Sequence, residues 1–87
     1  MDKIQITEKL KVLISPYTEQ RLALEDMGEH TDFLTDLKIN SANLVDIVLD
    51  VEEVFGIEID NDSMSKMLTV KATVEIIERK LDGDARQ

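Results

Sequence analysis

The sequence predicts an all-α fold, a small four-helix bundle with a long loop between helices 1 and 2 and a short third helix. Three observations carry this. Apolar residues recur at intervals of three and four in separate stretches, the period of a helix with one buried face. Eighty-seven residues hold one hydrophobic core and are too few to divide into two. Although 33% of the chain is charged, 43% is apolar and falls into those stripes, which argues against disorder.

In the first helix Ile6, Leu10, Leu13 and Ile14 share a face, and Ser15-Pro16 closes it, because proline disfavours helical angles in the residue before it. A long connection runs from Pro16 to about Asn40; Tyr17, Leu24 and Met27 suggest a turn or two of helix there, ended by Gly28. The second helix is the clearest. Leu44, Ile47, Val48, Val51 and Phe55 form an inward stripe, Asp46, Asp50 and Glu53 lie on another face, Asn40-Ser41 supply capping side chains, and Gly56 is the stop. Ile57-Glu58-Ile59 reads as an extended connection burying its isoleucines, since a lone strand has no partner. Asp60-Asn61-Asp62-Ser63 caps a short third helix reaching about Met67. Thr69 caps the fourth, with Val70, Val74, Ile77 and Leu81 inward. The folded domain is expected over 1–81, with a frayed tail over 82–87.

Charge narrows the function. The net charge is −9, with sequence pI near 4.4. Nucleic-acid binding and docking on anionic lipid both need a cationic surface, so neither is expected. Residues 36–62 hold eight acids against Lys38 alone, a concentrated field that suits a basic partner or a cation. Without cysteine there is neither a disulfide nor a thiolate metal site, and the one histidine, His30, is expected exposed in a loop. No segment has the length of a membrane span and the first ten residues are too polar for a signal peptide, so membrane insertion is not expected and the cytoplasm is.

Catalytic and metal chemistry find no constellation. Glu58, Asp60 and Asp62 alternate as calcium-loop ligands do. Yet the sixth and twelfth places, which need glycine and glutamate, hold Ser63 and Thr69 counted from Glu58, or Ser65 and Lys71 counted from Asp60. A serine nucleophile needs an oriented base, and nothing pairs with His30. Gly28, Gly56 and Gly83 are isolated and make no phosphate loop. An enzyme is not expected; composition and spacing end at an acidic helical domain that displays something.

Four runs of residues go further. Phe33-Leu34-Thr35-Asp36-Leu37-Lys38-Ile39-Asn40-Ser41 resembles the F-x-x-D-L-x-x-D-S approach to the modified serine of acyl carrier proteins. Val45 to Phe55 is similar to that family's second helix, Gly56-Ile57-Glu58-Ile59 to its G-I-E-I connection, and Lys66-Met67-Leu68-Thr69-Val70 to the start of its last helix. In order and spacing the resemblance runs from Phe33 to about Leu81, over half the chain. The resemblance implies an acyl-carrier-like domain over 1–81 whose Ser41 receives phosphopantetheine from coenzyme A through a phosphopantetheinyl transferase. The arm's thiol would hold acyl groups as thioesters for acyl-transferring or acyl-activating enzymes with basic patches. It further implies partner recognition by Asn40, Ala42, Leu44, Asp46, Asp50, Glu52 and Glu53, an acyl-chain cavity lined by Val48, Val51, Phe55 and Ile59, and a monomer. From the residues alone, Ser41 is as well read as a plain helix cap, and the acids as a solvated face.

Departures from the pattern matter. Asn40 replaces the usual aspartate, Ala42 the usual leucine, Lys38 a common glycine, and Leu44 a small or polar residue. They point to a specialised carrier in a lipid or secondary-metabolite pathway, such as polyketide assembly, rather than the housekeeping carrier of fatty-acid synthesis. Lys38-Ile39-Asn40-Ser41 also lacks the G-G-x-S approach of aminoacyl carriers, which favours acyl cargo. If 87 residues are the whole protein, the carrier is free-standing. The competing expectations are a carrier-like structural or regulatory partner that is never modified, and an acidic mimic of nucleic acid.

Overall fold

The computed structural model describes residues 2–82. Helix α1 (Lys3–Ile14) opens on a capping box: the Asp2 carboxylate accepts the Gln5 N–H at 2.8 Å and the Gln5 side chain accepts the Asp2 N–H at 3.2 Å. It ends where expected but for a different reason. Ser15 keeps helical angles (φ −56°, ψ −37°), and the chain tightens into a 3-10 turn, Ser15–Tyr17, with Pro16 near its start. The α-helix stops because Pro16 has no N–H to donate.

The long connection contains the five-residue helix α2 (Arg21–Glu25). Gly28 does not end it, contrary to expectation; Asp26 does, its N–H bonding the Leu22 carbonyl at 3.0 Å. Helix α3 (Ser41–Phe55) is stopped by Gly56, whose left-handed backbone (φ 65°, ψ 40°) lets its own N–H and that of Ile57 both reach the Glu52 carbonyl. Helix α4 (Asn61–Lys66) begins on Asp60, whose side chain accepts the Ser63 N–H at 3.1 Å. The Thr69 hydroxyl accepts the Ala72 N–H at 3.2 Å to start α5 (Val70–Asp82). Asp82, expected in the tail, closes α5, and 83–87 lie outside the described residues.

Helix α1 packs against α3 and α5, and α4 packs against α5. The main core joins Ile6, Leu10 and Ile14 of α1 to Ile47, Val51 and Phe55 of α3 and to Val70, Val74 and Ile77 of α5. A smaller, separate cluster holds Val48, Met67 and Ile76, with Ile59 and Met64 packed against it. Ile59 touches both clusters, and it and Ile57 are only half-buried.

The loop before α3 is ordered by backbone bonds to the α4–α5 junction. Phe33 N–H donates to the Leu68 carbonyl at 2.9 Å, and Val70 N–H to the Thr31 carbonyl at 3.0 Å. The Asp32 carboxylate accepts the N–H groups of Leu34 and Thr35, and Asp36 accepts that of Asp32 at 2.8 Å. Phe33, Leu37 and Ile39 are consequently buried. Between the last two stands exposed Lys38, with φ 56°, the only non-glycine of positive φ among the described residues. Glycine would take this backbone without a side-chain clash, because the turn between two buried anchors is left-handed.

Two outcomes follow from these caps and turns. Lys38→Gly removes a left-handed cost of about 1–2 kcal/mol and adds about 0.5–1 kcal/mol of unfolded-chain entropy. A thermal melt should show a midpoint higher by a few degrees; a lower one would mean the position carries no strain. The Asp60 carboxyl is held below its ordinary pKa by the hydrogen bonds from Ser63, with the Lys80 charge assisting. Its capping contribution is present above the ordinary aspartate pKa of about 3.9 and is lost as pH falls through the lowered folded value. The Ser63 amide resonance should titrate with a midpoint below about 3.9, and one above it would refute the cap.

Candidate functional site

The candidate site is the first turn of α3. Asn40 (φ −64°, ψ 137°) is the helix cap, its Oδ1 accepting the Ala42 N–H at 2.8 Å. Ser41 is therefore the first residue inside the helix, and the reading of it as a plain cap is overturned. It is exposed, and its hydroxyl has no hydrogen-bond partner among the described residues. That leaves both oxygen lone pairs and the proton available at the end of the loop. The first turn of α3 carries no acidic side chain, and its residues beside Ser41, Asn40 and Ala42, do not take up a proton. The geometry presents a hydroxyl without activating it.

The expected recognition residues divide by burial. Asn40, Ala42, Asp46 and Glu53 are exposed. Asp50 is half-buried, its Oδ2 accepting the Tyr17 hydroxyl at 2.7 Å. That hydrogen bond raises the Tyr17 pKa, with desolvation and the charges of Asp50 and Asp46 adding to it. Glu52 is also half-buried, and its carboxylate accepts the Ile59 N–H at 2.7 Å, fastening the 57–59 connection to α3. Leu44 is half-buried and packs against the main core. Of the large apolar side chains of α3, Val45, Leu49 and Val54 face out, and the first two, 49% and 56% exposed, lie four residues apart and beside the acids. Sequence reasoning passed over both. Their signal was available: they are apolar but out of phase with the buried stripe.

The expected acyl-cavity residues also separate. Val51 and Phe55 belong to the main core, Val48 to the smaller cluster, and Ile59 bridges them. Ile59 further lines an open groove of about 620 Å³ with Ile57, Lys80 and Leu81. Among the described residues no group of three or more acids or histidines could hold a metal ion, and no helix is long and apolar enough to cross a membrane.

Comparison with known proteins gives the site its context. The family model described as "phosphopantetheine attachment site" matches residues 8–77. An acyl carrier protein of Coprothermobacter proteolyticus is 35% identical over 82 residues, covering 93% of this chain and 96% of that protein. One from Thermotoga maritima is 37% identical over 76 residues, 87% of this chain and 82% of the relative. One from Nitratidesulfovibrio vulgaris is 30% identical over 77 residues, 88% of this chain and 99% of the relative.

The two adjacent glutamates of α3 should respond differently to truncation. Glu52→Ala leaves the half-buried Ile59 N–H without its acceptor and should cost about 1–3 kcal/mol in urea unfolding. Glu53→Ala, at an exposed position, should stay within about 0.5 kcal/mol of wild type. Equal losses would show that Glu52 is not a structural tie.

Proposed function

The chain belongs to the acyl carrier proteins, which bear phosphopantetheine and carry acyl groups rather than catalyse, and we propose that Ser41 is the residue that takes the arm. One observation carries this: Asn40 already caps α3, so the exposed Ser41 hydroxyl has no structural duty. A transferase joins Ser41 Oγ to the pantetheine-side phosphorus of coenzyme A and breaks the pyrophosphate bond. The nucleotide leaves with the electron pair, and the hydroxyl proton passes to a base on the transferase, because the first turn of α3 carries no acid. The arm supplies a thiol for thioester chemistry, which a chain without cysteine lacks.

The partner face is α3 beyond the attachment turn. Exposed Asp46 and Glu53 steer basic partner surfaces, and Asp50 stands beside them in a position fixed by Tyr17. Ala42, Val45 and Leu49 supply apolar contact next to the arm. Glu52 supports this face from within. The acyl chain is proposed to enter at the smaller cluster, where Met64 and Met67 can repack around an added chain while the main core stays closed. Lys38, Asn40 and Ala42 together favour a specialised pathway over housekeeping fatty-acid synthesis.

Incubation with coenzyme A and a broad-specificity transferase should add one phosphopantetheine to the intact mass of wild type and nothing to Ser41→Ala. Should wild type stay bare, the double variant Asn40→Asp, Ala42→Leu tests whether those departures defeat that enzyme. If it too stays bare, the unmodified-partner reading replaces this one. On the modified protein, Asp46→Lys with Glu53→Lys should lower the transfer rate by about an order of magnitude at low salt with helix content unchanged. In a series of acylated forms the melting temperature should climb with chain length, since each buried methylene stabilises by up to about 0.8 kcal/mol. A flat series would exclude an internal seat.

A further inference from the structure

Lys38 is the one base within the acid-rich stretch from 36 to 62. Its backbone is fixed from both sides. The carbonyl of buried Leu37 accepts the Thr18 hydroxyl, and the N–H of buried Ile39 donates to the Phe33 carbonyl at 2.9 Å. Lys38 itself is exposed, makes no ion pair among the described residues, and holds a left-handed φ of 56° that glycine would take without strain. A strained residue that serves no fold contact is a candidate for a role outside the fold.

Its place gives the surface a polarity. The cation stands three residues before Ser41, with exposed Asp36 behind it tied to the Asp32 N–H at 2.8 Å, while the free acids Asp46 and Glu53 begin five residues after Ser41 and extend to about 18 Å along the helix axis. We propose that Lys38 is a specificity-determining residue for the modifying transferase, meeting a carboxylate set beside that enzyme's basic ridge. This rests on Ser41 being the attachment site. The transferase is the partner to which it applies, because that enzyme must bring its reacting centre to Ser41 Oγ itself. Acyl-handling enzymes meet the far end of the arm and need not cover the loop. A bipolar match orients the carrier along the ridge, which a uniformly acidic face cannot do, and it penalises transferases that are basic throughout.

The test is the steady-state modification of the full chain by the transferase of its own cell, with coenzyme A as donor, at low salt and again at high salt. Lys38→Gly should raise the KM for the carrier about fivefold with kcat little changed, and Lys38→Glu should raise it further. Lys38→Arg should restore the wild-type KM, and the differences should shrink at high salt. Since Lys38→Gly is expected to melt higher than wild type, a rise in KM cannot come from a damaged fold. An unchanged or lower KM in Lys38→Gly and Lys38→Glu would overturn the proposal, because removing a lone cation from a face that meets only basic groups should improve binding. Wild type that gains no arm at all would overturn the Ser41 reading instead; normal arm addition with an unresponsive KM would remove Lys38 alone.

Discussion

The rest of the structure depends on how the loop before α3 satisfies its backbone. A connection of this length would ordinarily lie on the surface in water, since buried peptide groups without partners are costly. Here the pair of bonds between Phe33 and Leu68 and between Val70 and Thr31 gives the loop a partner at the α4–α5 junction. Asp32 and Asp36 close the turn that follows. With those groups paired, Phe33, Leu37 and Ile39 can enter the main core, and the next residue the chain brings to the surface is Asn40 at the head of α3. The motif residues before Ser41 are thus not a recognition signal in the first instance. They are the anchors that decide where the hydroxyl emerges.

The parts of this architecture that the sequence disclosed are those governed by local rules. The α3 stripe, its Gly56 stop, the Asp60 and Thr69 caps and the period of α5 each depend on residues within one or two turns of each other. What stayed hidden depends on distant partners. Nothing near Tyr17 announces Asp50, thirty-three residues away, as its acceptor. Glu52 looked like one of an outward acidic set, because its role needs the 57–59 connection to fold back on α3. The α1 terminus shows a different failure: the position was right, but Ser15 stays helical and the missing N–H of Pro16 ends the helix. At the site, Ser41 and Asn40 were both legible as capping types. Only the observed bond from Ala42 to Asn40 separates the cap from the displayed hydroxyl.

Helix α3 divides its circumference among several tasks. One face closes the main core through Ile47, Val51 and Phe55, and its edge contributes Val48 to the smaller cluster. The opposite side leaves Val45, Leu49, Asp46 and Glu53 exposed, and Asp50 and Glu52 at the boundaries are tied to the turn after α1 and to the connection after α3. Those ties matter for a carrier. A surface that must be read by successive enzymes gains from charges whose positions are set in advance, because less side-chain freedom is lost on each encounter. The free acids provide long-range attraction, while the tied ones hold α3 to the turn after α1 and to the 57–59 connection.

The separation of the two clusters bears on how a small domain could accept cargo without unfolding. A chain of this size has little stability to spare, so opening its main core would threaten the whole fold. The main core is built from branched aliphatics and one phenylalanine from each of the loop and α3, drawn from α1, α2, α3, α5 and the loop, and no single element can leave it cheaply. The smaller cluster has only Val48, Met67 and Ile76 fully inside, and it is bordered by the short α4 and the half-buried Ile59. Displacing α4 there would sacrifice few contacts, and the flexible methionines can follow a chain of varying length. The loop bonds at Leu68 and Val70 lie at the near end of α5, so they limit how far α4 can swing before the anchors of Ser41 are strained. On the proposed reading, loading cargo and presenting Ser41 are coupled through that junction, because the backbone pair that orders the loop before Ser41 adjoins Met67 of the smaller cluster.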